Sequence, residues 1–233
     1  MSGIERQAAQ RDAMAGNETV ERTEETVERY LHALEHQEAL VLRRWWQRLT
    51  LDPPALRRVT EAPAYPRGVR AALRRCDTVE SVMLTEAFRH LWQALESQVW
   101  HEAPPKTARA QRIETWAAIA AVACELRNET FDAPMGKRLG EKRTNTVDTP
   151  CVSDLRFQQL LDCHTPEELI RRFRRALKLA GNERISVVRL ADMVALWHRE
   201  RQGQYRTEAT QRFAFVMSDA YFKARASKQR AAD

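Results

Sequence analysis

Apolar residues recur at helical spacing along most of this chain. Val20, Val27, Tyr30, Leu31 and Leu34 form the first stripe, with Asn17 as a candidate cap. A second stripe, Leu42, Trp45, Trp46 and Leu49, is close enough for the first helix to run straight into it. Asp52-Pro53-Pro54 reads as a cap followed by a first-turn proline. Asp77-Thr78-Val79-Glu80 resembles a capping box and predicts one long helix to about Trp100, burying Val82, Leu84, Phe88, Leu91, Trp92 and Leu95. A further helix is expected from about Lys106 to Phe131, with Ile113, Trp116, Ile119, Ala120, Ala123 and Leu126 turned inward.

Residues 132–152 break the period, with two glycines, two prolines and four basic side chains, and read as a connecting loop. Beyond it, Leu155, Phe157, Leu160 and Leu161 mark a helix from Ser153 to about Cys163. Thr165-Pro166-Glu167-Glu168 predicts a capped helix that stops at Gly181-Asn182. Helices over about Ile185–Arg199 and Thr207–Lys223 complete the pattern. The expectation is an all-α protein, a two-lobed bundle of about eight or nine helices. An acidic extension (1–35) precedes an N-terminal lobe (36–131), a basic linker (132–152) and a C-terminal lobe (153–233). Composition agrees: only seven glycines occur in 233 residues, and good helix formers dominate.

Charge changes the picture more than composition does. The net charge is +6, yet residues 1–35 hold four arginines against eight acids, so the rest of the chain carries the basic excess. Such a body attracts polyanions, although charge alone does not decide whether it binds nucleic acid. The four cysteines form no Cys-x-x-Cys pair and read as reduced, buried thiols. No secretory signal is evident at the N-terminus and no apolar run is long enough to span a bilayer, so a cytoplasmic protein is expected.

No nucleophile elbow, zinc-protease motif or phosphate-binding loop is present, and neither catalytic residues nor a cofactor is expected. His32 and His36 have chelating spacing but no third ligand, so solvated helix is preferred to a metal site. The six tryptophans mostly fall on apolar stripes and read as core. The basic residues are better organised. At 100° per residue, Arg171, Arg174, Arg175 and Lys178 share one helix face, a geometry that lets several guanidinium forks engage successive phosphates. Arg57-Arg58, Arg74-Arg75 and the loop bearing Lys137, Arg138, Lys142 and Arg143 add separate patches. Reversing the charge of Arg174 and Arg175 is expected to weaken single-strand binding and leave the fold intact.

Five segments carry a family resemblance: Leu42-Arg-Arg-Trp-Trp-Gln47, Pro54-Ala-Leu-Arg-Arg58, Arg138-Leu-Gly140, Val152-Ser-Asp-Leu-Arg-Phe-Gln-Gln-Leu-Leu161 and Glu168-Leu-Ile-Arg-Arg-Phe-Arg-Arg-Ala-Leu177. In this order they resemble the CasB family, the small subunit of the type I-E CRISPR surveillance complex Cascade, over about residues 39–222. The resemblance implies a non-catalytic helical subunit, present as two copies beside other Cascade subunits and the guide RNA. It also implies a role in holding target and displaced DNA strands of an R-loop. Arg57, Arg58, Lys137, Arg138, Lys142, Arg143, Arg156, Arg171, Arg174, Arg175 and Lys178 match basic positions and inherit a backbone-contact role as an expectation. The acidic extension inherits nothing. The competing expectations are a helical DNA-binding transcriptional regulator and, with no ligand set in view, a metal-dependent or nucleotide-processing enzyme.

Overall fold

The computed structural model describes residues 31–102, 105–131, 133–143 and 149–226. The stripe expected over residues 17–30 lies outside them. Eleven α-helices and one 3-10 turn (Ala209–Gln211) occur among the described residues, with no strand, so the all-α expectation holds. The helices are α1 (His36–Thr50), α2 (Pro53–Leu56), α3 (Arg67–Arg74), α4 (Val79–Met83), α5 (Glu86–Gln98) and α6 (Lys106–Ala123). They continue with α7 (Met135–Gly140), α8 (Asp154–Leu161), α9 (Pro166–Leu179), α10 (Val187–Arg201) and α11 (Phe213–Ala226). From His32 onward these residues form one compact unit.

The core is built around α6 and α10. Every residue of α6 from Trp116 to Ala123 is buried, because α10, α9 and α4 pack on different sides of it. α10 is buried almost throughout from Val187 to His198. Each large apolar side chain withdrawn in this way contributes about 1.5–3 kcal/mol before the entropy of ordering is subtracted. Ahead of α1 the backbone is not helical: Asp192 of α10 accepts hydrogen bonds from the backbone N–H groups of His32, Ala33 and Leu34. That carboxylate keeps residues 32–34 out of a helix, so the expected run into α1 does not form, and His32 does not share a helix with His36.

Other boundaries also differ from the sequence pattern, each for a local reason. The long helix expected from Asp77 is two helices. Thr78 and Ser81, rather than Asp77 and Glu80, make the first capping box, and Thr85 caps α5 by accepting from Phe88 N at 3.2 Å. Leu84 falls in the break between them and is 81% exposed, not core. α6 stops at Ala123 rather than near Phe131, and α11 begins at Phe213 after the 3-10 turn.

The segment 132–152, expected as an irregular linker, contains α7. Its two glycines are contact surfaces: a Cβ on Gly136 would lie 2.5 Å from Met217 O, and one on Gly140 would lie 2.3 Å from Tyr221 O. Only residues without side chains let α7 lie directly on the backbone of α11. Further along the chain, Cys151 N donates to Glu141 O and Val152 N to Leu139 O, which leads into α8.

Candidate nucleic-acid interface

α8 and α9 enclose a cleft of about 270 Å³ whose walls hold four arginines: Arg156 from α8, and Arg171, Arg172 and Arg175 from α9. Gln159, Val152, Ala176 and Leu179 supply the rest of the lining, and no carboxylate is among these residues. The sequence builds the cleft directly. Ser153 precedes α8 in extended conformation, Thr165 caps α9 by accepting from Glu168 N at 3.2 Å, and Pro166 fixes the first turn. At the other end Gly181 (φ 89°) and Asn182 (φ 57°) turn the chain, and Asn182 N closes back on Leu177 O at 2.8 Å.

Arg156, Arg171 and Arg175 are exposed, with their planar forks available to a phosphodiester. Arg172 is different. Its Nε donates to Glu168 Oε1 at 3.0 Å, and its Nη2 donates to the same oxygen. Glu168 also accepts from His164 N, and these bonds hold its carboxyl below the ordinary glutamate range. Arg172 was not among the residues expected from helix geometry. Its signal in the sequence is the i,i+4 relation to Glu168, which fixes the fork at the cleft wall.

The cleft side of α9 runs through positions 171, 172, 175, 176 and 179. This is about 80° further round the helix than the face expected from 171, 174, 175 and 178, at 100° per residue. The difference falls on Arg174. It is 13% exposed and faces inward, where Nη1 donates to Cys76 O at 2.6 Å, Nε to Ala121 O at 2.9 Å and Nη2 to Leu73 O at 3.1 Å. Its side chain therefore joins α9 to the last turns of α3 and α6. Lys178 is exposed on α9 but does not line the cleft.

The remaining expected positions scatter. Arg57 and Arg58 are exposed in the turn after α2. Arg75 is exposed at the end of α3, whereas Arg74 pairs with Glu125 at 3.0 Å. Lys137 and Arg143 are exposed and Lys142 is half-buried. Arg138 is 12% exposed, donating to Ala180 O at 2.8 Å and pairing with Glu141 at 3.0 Å. Like Arg174, it serves a helix end, here the C-cap of α9. Arg70 does the same for α6, donating to Cys124 O and Leu126 O. The structure thus brings Arg156, Arg171 and Arg175 together and takes Arg138 and Arg174 into the fold.

No group of three or more His, Cys, Asp or Glu side chains that could hold a metal ion occurs among the described residues. None of the described helices is long and apolar enough to cross a membrane. All four cysteines are free and buried. Fold and cleft together define a helical protein with an arginine-lined groove at its surface. The description of the CRISPR-associated protein Cse2 family matches residues 69–216, well over half of the chain. The chain belongs to that family, which comprises the CasB small subunits of type I-E Cascade. No curated protein and no solved structure matches it.

Proposed function

We propose that this Cascade subunit holds nucleic-acid backbone in the α8–α9 cleft and so stabilises the R-loop formed by guide RNA and target DNA, including its displaced strand. The observation that carries the reading is the convergence of Arg156, Arg171 and Arg175, from two helices, on a groove without a lining carboxylate. R-loop formation is a near-balanced exchange of one duplex for another, so a few phosphate contacts per copy tip it without any base being read. The other Cascade subunits, the guide RNA and a second copy of the chain are the partners in this reading, and its setting is the cytoplasm. Arg57, Arg58, Arg75, Lys137 and Arg143 supply further exposed positive charge to the same polyanions.

The test is single-strand binding across a salt series with Arg171→Ala combined with Arg175→Ala. Each phosphate contact on a single strand adds about 0.7 to the slope of log affinity against log salt. Losing two contacts flattens the slope by about 1.4, and the same variant in a guide-RNA-bearing complex shortens the lifetime of the R-loop. An unchanged slope together with an unchanged R-loop overturns the assignment. A footprint on one defined duplex at physiological salt favours the regulator reading instead.

A further inference from the structure

Of the four arginines that line the α8–α9 cleft, three reach it unpaired and one does not. Arg156, Arg171 and Arg175 have no ion-pair partner among the described residues. Arg172 has one in Glu168, a turn earlier on α9, where Nε and Nη2 both donate to Oε1. Both side chains of this pair are half-buried. The other carboxylate oxygen, Oε2, accepts from His164 N at 3.0 Å, ahead of the Thr165 cap. Glu168 is therefore tied to the backbone on one side and holds an arginine of the cleft on the other.

The remaining acids nearby do not share this position. Glu167 stands close enough to Glu80 and Glu114 to act on the Glu114 carboxyl, and Asp162 faces His164 Nε2 at 3.5 Å. Neither pairs with an arginine of the cleft. The His164 N–H and the Arg172 fork keep the Glu168 carboxyl below the ordinary glutamate range, so its charge persists throughout the neutral range.

Capping accounts for Oε2 and not for Oε1, and a neutral glutamine at the third position of a helix also completes a cap. The charge at Oε1 has a consequence for the cleft. A phosphate that enters meets three guanidinium groups in search of an anion and a fourth whose charge is already answered. Moving Arg172 onto that phosphate exchanges one charge-assisted pair for another, so it gains little. It also leaves Glu168 uncompensated beside the bound anion. The screening length at physiological salt is about 8 Å, longer than a side-chain ion pair, so the repulsion reaches a phosphate next to Arg172.

We propose that Glu168 restrains the arginine cleft: it acts as a built-in counter-anion that withholds Arg172 from phosphate and sets the grip on a strand below what four arginines would give. This rests on the reading that the cleft holds nucleic-acid backbone. A restrained grip suits that reading, because a near-balanced strand exchange is tipped by a few contacts and stalled by a hold too tight to release. It also limits capture of unrelated nucleic acid, which phosphate contacts cannot tell apart from a target.

The test is single-strand binding by the intact chain across a salt series, with Glu168→Gln, Arg172→Gln and the two combined. Glutamine at 168 keeps an acceptor for His164 N and for Arg172 and removes only the charge. Glu168→Gln is expected to bind about fivefold tighter at low salt. Its slope of log affinity against log salt steepens by about 0.7, the increment for one further phosphate. Arg172→Gln in that background returns the slope to that of the unaltered chain. Arg172→Gln alone leaves the slope unchanged and lowers affinity, since Glu168 then faces the cleft unpaired; this arm decides the matter even where Glu168→Gln loses helical signal. Unchanged affinity and slope in a folded Glu168→Gln variant overturn the proposal. So does a gain that survives the double variant, and so does a slope flattened by Arg172→Gln alone, which would show Arg172 already on phosphate. If Arg171→Ala with Arg175→Ala flattens the slope while Glu168→Gln does not steepen it, the restraint alone falls. If neither moves it, the backbone reading falls as well.

Discussion

Removing the Arg174 guanidinium leaves Cys76 O without its donor at the junction of α3, α6 and α9, and leaves Leu73 O with only Cys76 N and Ala121 O with only the Cys124 thiol. Charge-assisted bonds to carbonyls are each worth more than neutral ones, and the orphaned Cys76 carbonyl adds a desolvation cost. Arg174→Ala is expected to cost about 3 kcal/mol in urea unfolding, and Arg174→Lys recovers little, because an ammonium cannot span three carbonyls. Arg171→Ala and Arg175→Ala stay within about 0.5 kcal/mol of the unaltered chain, as surface substitutions do. The double reversal of Arg174 and Arg175 therefore reports unfolding as much as binding, which is why Arg171 and Arg175 are the informative pair. His198 makes a second residue-scale prediction. Burial lowers its pKa to about 4, from an ordinary value near 6.5. The unfolded chain then takes up this proton at higher pH than the folded one. The contribution is fully present above pH 6.5 and is lost as pH falls toward 4, amounting to about 3 kcal/mol at most. The urea midpoint should fall over that interval, and His198→Phe should flatten the fall; an identical slope in the variant rejects the assignment.

Among the elements, the short helix α7 shows how one residue type is read two ways. Gly136 and Gly140 look like linker glycines in sequence, and only the tertiary structure shows that the α11 backbone lies where their Cβ atoms would be. Gly136→Ala or Gly140→Ala must push α7 from α11, because the obstacle in each case is a backbone carbonyl, and a loss of about 1–3 kcal/mol is expected. Gly68, in α3, has nothing within 4 Å of an added Cβ, so Gly68→Ala should be neutral or stabilise by about 0.5 kcal/mol. Thermal unfolding of the three variants checks the contrast, and similar losses at Gly68 and Gly140 would refute it. Helix type was legible in sequence wherever apolar period and cap agreed, as for α9, where Thr165, Pro166 and Gly181 mark both ends. The break at Leu84–Thr85 was not, because the apolar period runs on across it and Thr85 looks like any polar helix position. The arginine cleft was half legible. Period placed Arg171 and Arg175 outward, but nothing local distinguishes Arg174, whose partners are 53 to 101 residues away.

For the molecule as a whole, the open matter is whether the chain unfolds as two lobes or as one body. A basic linker at 132–152 argues for two, since few contacts should cross such a boundary. Three features of the structure argue for one. α9 and α10 pack on α6, Arg174 ties α9 to α3 and α6, and Arg127 N donates across the segment to Asn182 O at 2.8 Å. The cysteines allow a direct measurement, because Cys76 and Cys124 precede the segment, Cys151 lies in it and Cys163 follows it, and all four are buried and free. Burial pushes the thiols of Cys124 and Cys163 up to about 12, so each is inert while its surroundings stay folded. Pulse alkylation across a urea series, read residue by residue by mass spectrometry, should then expose all four at one midpoint, coincident with the loss of helical signal. Cys151 and Cys163 becoming reactive at lower urea than Cys76 and Cys124 would instead establish two lobes. Arg174→Ala should favour that uncoupled behaviour, because it cuts a tie between the halves and leaves the apolar stripe of α9 intact.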